Sequence, residues 1–470
     1  LRHPTTGQLH GETHQLTNIL TQHLASLLNP PPMPPHHCHT AKPWEGTLDP
    51  YTIHTPAQAM QHTAEPLRHL MESSLMQSCV RRLSNGTKPG PDHIHNELLK
   101  ALPPAWVTTI HHLFELMWAT GYTPACLKHS HTIFLYKKGD HTSPSNYRPL
   151  GLNNTLSKLW TSIVTRVIST YSELNYILSD AQEGFRPNKS AHKHILNLIH
   201  DIQDATHHNH DLYAAYFDFS NAFNMINHTH LATTMQDLGY TMDMVKIVQN
   251  IYTNATTAVS LRGHNGPPVP ICRGTIQGDT LSPLLFIIYI EPLHRWLKAG
   301  GRGYKQQCLT PAQQDRYNSS SLGYADDTCA LTGTLADLKA QCTKVHLYSE
   351  WAGIPINSSK CMVTAILHGS NPTNPCHHHT LHSQLHNTIP VGRGFATYLP
   401  PDNTYKYLGV HISLTLNWAT QMAAAMHTIQ TKGQHILTKA IPQGASPRQC
   451  LALIDTCIKP AITYAMPAMP

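Results

Sequence analysis

Two aspartates, Asp326 and Asp327, stand side by side between the apolar flanks of SLGYADDTCALTG (321–333), and a third, Asp218, ends the apolar run of YFDFSNAF (216–223). Ionised carboxylates in apolar surroundings repel one another and need a cation. Carboxylate oxygens are ligands that Mg²⁺ prefers, and two such ions can hold an in-line phosphoryl transfer. The pattern therefore predicts a divalent-cation site. The alternative is a polar hairpin turn, in which aspartate is common.

The elements that must position these aspartates are strands. Residues 211–223 predict a buried strand that ends in an acidic residue, and 322–333 predict a strand, a turn and a second strand. Further strands are predicted at 131–140, 258–263 and 405–412. Helical periodicity predicts helices over 95–102, 106–121, 155–175, 191–208, 227–239, 243–255, 282–298 and 334–353. Because helices and strands alternate without a βαβ rhythm, the expected fold class is α+β.

Composition limits the classes of protein. The chain has 470 residues, of which 40% are hydrophobic and 13% charged, and its formal net charge is +6. This mild basic excess is compatible with nucleic-acid binding. The eleven cysteines form no CxxC pair, which favours reduced intracellular thiols. The longest apolar run, 284–290, is far shorter than the ~20 residues of a membrane span. Because the chain starts at Leu1 and stops at YAMPAMP, we expect a fragment of a longer protein.

Eight motifs carry a resemblance to a known family. In chain order they are KPGPDHIHNELLK (88–100), LYKKGDHTSPSNYRPLGL (135–152), QEGFRPNKSAH (182–192), FDFSNAFN (217–224), RGTIQGDTLSPLLF (273–286), YADD (324–327), GIPINSSKCMV (353–363) and YKYLGVHI (405–412). They occur in the order in which reverse transcriptases carry them. The chain resembles reverse transcriptases, most closely those of non-LTR (LINE-type) retrotransposons, over residues 84–418.

This resemblance implies a right-hand polymerase with fingers, a palm built on an antiparallel sheet, and a partial helical thumb. The implied domains are a Pro/His-rich N-terminal extension or linker (1–75), fingers (76–210), a palm (211–418, interleaved with the fingers around 225–275) and a partial thumb (419–470). The stretch NPPPMPPHHCHTAKP (29–43) supports the linker interpretation, since proline-rich segments are extended.

The resemblance also implies a palm active site. Asp218, Asp326 and Asp327 would be the ligands of two Mg²⁺ ions, for which Mn²⁺ could substitute, and the backbone carbonyl of Phe219 would be a further ligand. Lys360 matches the later-palm lysine of the family and is implied to be the general acid for the leaving pyrophosphate. The alternative for Lys360 is an ordinary exposed lysine.

Two cations are implied to hold the incoming triphosphate. These are Lys138 and Arg148, which bracket a turn of the fingers, although Lys137 competes with its neighbour for this role. Arginine offers phosphate a bidentate fork and lysine a point charge. The alternative is that both lie in a solvated loop.

Phe223, Gln277 and Gly278 are implied to contact the incoming nucleotide. Phe223 stands where family members carry a bulky aromatic residue that excludes the 2′-OH, so dNTPs would be selected. Gln277 resembles the residue that contacts the sugar and the base pair, while Gly274 and Gly278 allow close backbone approach. The alternatives are a core aromatic side chain and simple turn glycines.

Nucleic-acid contacts are implied at two places. Gln182 and Arg186 would lie along the template strand, and Tyr407, Leu408 and Gly409 belong to a hairpin that resembles the primer grip. The implied partners are an RNA template, a DNA primer or target and dNTPs, without a membrane. An endonuclease is expected elsewhere in the full-length element protein. Synthesis from a nicked chromosome implies an intracellular, nuclear location.

Some residues depart from the family pattern. Asn221 replaces a basic residue, and Asn224 replaces an aspartate that is common in the family. The run NPCHHHTLHSQLH (374–386) contains zinc-type ligands, but its spacing favours a His-biased insertion. The alternative functions are an intron-encoded or domesticated reverse transcriptase and a catalytically decayed nucleic-acid-binding remnant. An RNA-templated RNA polymerase is disfavoured by Phe223.

Overall fold

The structure is a computed structural model that describes residues 1–3, 6–29, 41–45, 73–316, 319–367 and 381–469. The chain divides into two compact units. Unit 1 consists of Leu1–Ser179, Asn221–Pro292 and Glu350–Pro355, and unit 2 consists of Asp180–Ser220, Leu293–Ser349 and Ile356–Pro470.

The helices and strands follow the periodicity of the sequence closely. The α-helices are α1 (Thr13–Leu28), α2 (Ser73–Arg82), α3 (Asn96–Lys100), α4 (Pro104–Thr120), α5 (Thr155–Leu174), α6 (Ala191–His208), α7 (His228–Asp237), α8 (Met242–Tyr252), α9 (Leu281–Lys298), α10 (Pro311–Arg316), α11 (Leu335–Ala352), α12 (Ala419–His435), α13 (Pro447–Leu453) and α14 (Lys459–Thr463). The strands are β1 (His129–Tyr136), β2 (Tyr147–Asn153), β3 (Leu212–Phe217), β4 (Thr256–Leu261), β5 (His264–Pro270), β6 (Leu322–Tyr324), β7 (Asp327–Thr332), β8 (Met362–Ile366), β9 (Pro390–Val391), β10 (Gly394–Phe395), β11 (Thr397–Tyr398), β12 (Tyr405–Tyr407) and β13 (Val410–Ile412).

The α+β class is confirmed, and the predicted helices are present with small differences at their ends. Residues 405–412 form the hairpin β12–β13 rather than one strand. The boundaries of the two units differ from those of the predicted fingers, palm and thumb, which stay predictions. None of the described helices combines the length and the apolar composition that a membrane span needs.

Unit 1 contains a four-stranded sheet with the strand order β2-β1-β4-β5. β1 pairs antiparallel with β2 and parallel with β4, and β4 pairs antiparallel with β5. Helix α1 contacts β4 and β5 and buries an apolar stripe formed by Ile19, Leu20, Leu24 and Leu28. The guanidinium Nε of Arg273 also donates to the carbonyl of Leu27 over 2.9 Å.

The expectation that residues 1–75 are a linker is therefore wrong for α1. Its apolar residues recur with helical spacing and cover the sheet of unit 1, so this segment is part of a core. The proline-rich stretch 29–43, which suggested the linker, lies largely outside the described residues.

Unit 2 contains a five-stranded sheet with the order β11-β8-β3-β7-β6. Central β3 is buried on both faces, which explains its continuous apolar sequence. Helix α6 packs Ile195, Leu198 and Ile202 into the same cluster as Leu212 and Ala214 of β3. Because β3 lies between β7 and β8, the residue that follows it emerges beside both of these strands.

We expect Leu24→Ala, a substitution in α1, to lower the free energy of unfolding by about 2–4 kcal/mol, because Leu24 is only 2% exposed. Urea denaturation followed by circular dichroism measures the change. The matched control is Leu9→Ala, since Leu9 is 64% exposed, and its effect should stay within about 0.5 kcal/mol. Equal effects of the two substitutions would contradict the packing of α1.

Candidate active site

The turn between β6 and β7 in unit 2 carries two of the three aspartates. Tyr324 and Asp327 are register partners, so Ala325 and Asp326 form a two-residue hairpin turn. Ala325 has a φ of +59° and is 4% exposed. A non-glycine residue in this region costs on the order of 1–3 kcal/mol and needs support from its surroundings.

Asp218 lies at the same end of the sheet. Phe217, the last residue of β3, is the register partner of Thr328, which follows Asp327. The main chain of Asp218 is held on its other side, because its N–H donates to Cys361 Sγ over 3.5 Å and its carbonyl accepts from the Asn357 N–H over 2.9 Å. The structure thus brings Asp218 and the 326–327 turn to the same end of the five-stranded sheet, as predicted.

Negative charge is concentrated at this end of the sheet. Partial burial, followed by the charges of Asp326 and Asp218, raises the pKa of the Asp327 carboxyl to about 6. Lys360, in contrast, offers positive charge: its Nζ lies 3.1 Å from Asp218 Oδ2. The Lys360 side chain is 58% exposed, so this ion pair is worth at most about 1 kcal/mol. Lys360 therefore offsets only part of the negative charge of Asp218.

The donor set fits a hard divalent cation in chemistry, because it consists of carboxylate oxygens with mutually unfavourable charge. The distances among the three carboxylates are longer than those of a compact metal site. In the described part of the chain, the one group of three possible ligands whose atoms all lie within 4.8 Å of one another is His111, His112 and Glu115 on α4. At least one of the three aspartates must therefore rotate for all of them to ligate a single ion.

The main chain of Phe219, the predicted carbonyl ligand, pairs with Ile356 in an isolated antiparallel bridge, and the residue is 5% exposed. The ligand role of this carbonyl stays a prediction.

Of the His-rich run 374–386, residues 374–380 lie outside the described residues, and the rings of His382 and His386 stack at 4.4 Å.

The predicted template contact of Gln182 is wrong, because its side chain is 0% exposed. Gln182 Oε1 accepts hydrogen bonds from the Ala325 and Gly184 N–H groups, each over 2.8 Å, and its Nε2 donates to the Ala325 carbonyl over 3.2 Å. The residue supports the aspartate turn instead. Arg186 is half-buried and its Nη1 donates to the Gln182 carbonyl over 2.9 Å, and its template contact stays a prediction.

The predicted primer contact of Tyr407 is also wrong for its side chain. Tyr407 is 2% exposed, and its hydroxyl lies 2.8 Å from His194 Nε2. Leu408 and Gly409, with φ of +47° and +86°, form the turn of the β12–β13 hairpin. Their primer contacts stay predictions.

Tyr405 is a residue of this hairpin that sequence reasoning missed. Burial, followed by the charges of Asp327 and Asp218, raises the pKa of its hydroxyl. Its ring stacks on Tyr216 of β3 at 4.2 Å between centroids. The alternation of residues along β12 places Tyr405 and Tyr407 on one face, and this was the available signal.

In unit 1, both predicted triphosphate ligands are exposed on the β1–β2 hairpin. Arg148 of β2 is the register partner of Leu135 of β1, and Lys138 lies in the turn that follows β1. The two cations therefore project from one end of this hairpin into solvent. Their phosphate-binding role stays a prediction.

The other predicted nucleotide contacts of unit 1 are joined by one main-chain and one side-chain hydrogen bond. The Thr275 N–H donates to the Phe223 carbonyl over 2.9 Å, and Gln277 Nε2 donates to Asn224 Oδ1 over 3.3 Å. Gly274 has a φ of +77°, and a Cβ there would lie 2.6 Å from the Asn224 carbonyl oxygen, so only glycine fits. Asn224, which departs from the family pattern, is 4% exposed and orients Gln277.

Gly278 has a φ of +105° and is exposed, and Phe223 is half-buried with its ring 4.8 Å from that of Phe286. Both predicted roles, close approach to a nucleotide and exclusion of the 2′-OH, are compatible with these positions and stay predictions.

Comparison with known proteins decides the family. Residues 135–412 match the family model described as "Reverse transcriptase (RNA-dependent DNA polymerase)". The chain belongs to the reverse transcriptase family. The predicted resemblance to reverse transcriptases is thereby confirmed.

Among the relatives of this reverse transcriptase chain, the Pol polyprotein from the type-2 retrotransposable element R2DM of Drosophila melanogaster is 25% identical over 71% of this chain and 29% of its own length. The RNA-directed DNA polymerase from the mobile element jockey of the same organism is 22% identical over 83% of this chain and 40% of its own length. The chain thus spans well under half the length of these relatives.

A solved telomerase from Candida Tropicalis, truncated from its C-terminal domain, is similar with 14% identity and a TM-score of 0.39, over 69% of this chain and 60% of that one.

We expect Asp327→Asn to stabilise the metal-free reverse transcriptase chain near pH 8 by about 1 kcal/mol, after allowance for solvent screening. The folded pKa of Asp327 lies near 6, above the ordinary value of 3.8. Between these values the folded state binds more protons than the unfolded state, so its stability falls as the pH rises. The gain from Asp327→Asn should therefore shrink as the pH approaches 3.8.

Urea unfolding in EDTA at about pH 5 and about pH 8 measures this difference. The control is Asp337→Asn, since Asp337 pairs with Arg302 at 2.8 Å and its substitution should bring no gain. A gain of equal size at both pH values would contradict the assignment to Asp327.

Proposed function

We propose that the chain is an RNA-directed DNA polymerase that transfers dNTPs onto a primer 3′-OH along an RNA template. The observation that carries the proposal is the position of Asp218, Asp326 and Asp327 at one end of the five-stranded sheet of unit 2. All three lie within the residues that match the reverse transcriptase family. The raised pKa of Asp327 supports it, because repelling carboxylates are stabilised by a cation.

Asp218, Asp326, Asp327 and the carbonyl of Phe219 would hold two Mg²⁺ ions, with Mn²⁺ as a substitute. When bound, such ions lower the pKa of the attacking hydroxyl and offset the charge that develops on the leaving oxygen. The aspartates must remain ionised to do this, so the raised pKa of Asp327 predicts weaker metal binding below about pH 6.

Other side chains would act on the nucleotide directly. Lys360, which already points its ammonium at Asp218, would supply a proton to the leaving pyrophosphate. Arg148 and Lys138 would hold the triphosphate through charge-assisted hydrogen bonds. Gln277 with Gly278 would support the sugar and the base pair.

The biological setting is part of the proposal. The relatives are named as retrotransposable or mobile elements, and this chain covers less than half of their length. We infer that the whole protein copies element RNA from a primer formed in nuclear target DNA. An endonuclease in another part of that protein would make the nick.

Primer extension on an RNA template with dNTPs and Mg²⁺ tests the function. We expect extension by the parent chain and a loss of about 10²–10³-fold or more in Asp326→Ala, since metal clamping is worth several kcal/mol in the transition state. The matched control is Asp337→Ala, which removes an aspartate of unit 2 that pairs with Arg302. Equal losses in both variants, or extension that survives in Asp326→Ala, would overturn the proposal.

Sugar selection by Phe223 gives a second prediction. We expect Phe223→Val to raise the use of rNTPs relative to dNTPs by about tenfold or more, because removal of the ring opens space for the 2′-OH. Competitive incorporation measures the ratio of kcat/KM. The control is Phe286→Leu, which alters the packing partner of Phe223. An unchanged ratio in Phe223→Val would assign Phe223 to the core.

A further inference from the structure

A buried amide lies under the aspartate turn of unit 2, and all of its hydrogen-bonding groups have partners. Gln182 Oε1 accepts from the N–H groups of Ala325 and Gly184, and Nε2 donates to the Ala325 carbonyl over 3.2 Å and faces His294 Nε2 at 3.3 Å. We propose that Gln182 is a positioning residue that holds the turn bearing Asp326 and Asp327. The catalytic meaning of this inference rests on the proposed function.

The orientation of the Gln182 amide follows from its partners. Two N–H donors converge on Oε1, so the amide cannot be turned around without placing donor against donor. His294 completes the arrangement: its Nδ1 lies 2.8 Å from Ser321 Oγ, and burial together with the nearby His194 lowers its pKa to about 3. In the neutral tautomer whose Nδ1–H donates to Ser321 Oγ, Nε2 of His294 is an acceptor for the Gln182 amide.

The Gln182 amide binds the strained residue of the turn. Ala325 has a φ of +59°, and the ladder between β6 and β7 closes at Tyr324 and Asp327, outside it. Gln182 binds both main-chain groups of Ala325, its N–H and its carbonyl. A side chain that satisfies both groups of one turn residue fixes the direction of the peptide units on either side. One of these units leads directly into Asp326.

The segment that carries Gln182 is itself attached to the sheet. Gln182 and Gly323 form a parallel bridge, in which the Gly323 N–H donates to the Ala181 carbonyl over 2.8 Å and the Glu183 N–H donates to the Gly323 carbonyl over 2.9 Å. A Cβ at Gly184 would lie 2.4 Å from the Ala325 nitrogen, so only glycine lets this segment approach the turn. The support is therefore as rigid as the sheet edge.

Support of this kind matters because a ligating carboxylate must be held to within about half an ångström of its productive position. Gln182 is 0% exposed, so its side chain offers no surface to a substrate. It acts on Asp326 and Asp327 through the main chain of Ala325. Loss of the amide should therefore lower metal affinity and kcat while the KM for dNTPs changes little.

The test compares Gln182→Met with a matched variant, Gln341→Met. Gln341 is also 0% exposed and in unit 2, and its Nε2 donates to the Leu297 carbonyl over 2.9 Å, in a contact that does not involve the turn. We expect Gln182→Met to weaken Mn²⁺ binding, measured by electron paramagnetic resonance, and to lower kcat, each on the order of 10–100-fold. Gln341→Met should leave both nearly unchanged.

Amide hydrogen exchange supplies a readout that does not depend on activity, and its measurement on the parent chain needs no variant. In the parent chain the Ala325 N–H should be protected like the neighbouring strand amides, because Gln182 accepts its hydrogen bond. In Gln182→Met this protection should be lost while the β3 amides stay protected. Rapid exchange of the Ala325 amide in the parent would overturn the inference.

The inference and the proposed function can fail separately. Primer extension and Mn²⁺ binding that are unchanged in Gln182→Met would overturn the positioning role and leave the polymerase function standing. The positioning role would be supported if protection of the Ala325 amide depends on Gln182 and if Gln182→Met weakens Mn²⁺ binding. If the parent chain nevertheless shows no primer extension, the polymerase function is overturned while the positioning role stands.

Discussion

The functional part of unit 2 depends on one constraint. Three carboxylates at the same end of the five-stranded sheet repel one another. Asp327 shows it directly, since partial burial and the charges of Asp326 and Asp218 raise its pKa. A protein gathers such groups only if the rest of the fold is stable enough to hold them. The central position of β3, buried on both faces, supplies that stability next to the charges it must tolerate.

A second layer of polar groups transmits this rigidity to the turn. Gln182, Ser321 and His294 are buried and hydrogen-bonded to one another or to the main chain, whereas the aspartates they support are half-buried or exposed. Buried polar networks of this kind are stable only when their members are satisfied. The burial of these three side chains is thus explained by the geometry of the turn and not by their own contact with substrate.

Much of the carboxylate site could be predicted from sequence, because an apolar strand that ends in aspartate is a local signal. Asp218 and Asp326 illustrate this signal. Gly121 is a local signal of another kind, because its φ of +66° ends α4 where the helical periodicity ends. The helix α1 was missed because the proline-rich segment after it dominated the composition. Its burial depends on β4 and β5, which lie more than two hundred residues further along the chain.

Gln182 and Tyr407 were misjudged for a different reason. A motif states that a residue is required, but the same requirement arises from contact with nucleic acid and from support of a neighbouring turn. Only burial separates the two, and burial is set by tertiary neighbours such as Ala325 and His194. A polar residue beside a strained turn satisfies a main-chain group that the turn leaves unpaired, and this physical need is a sufficient reason for a glutamine in QEGFR.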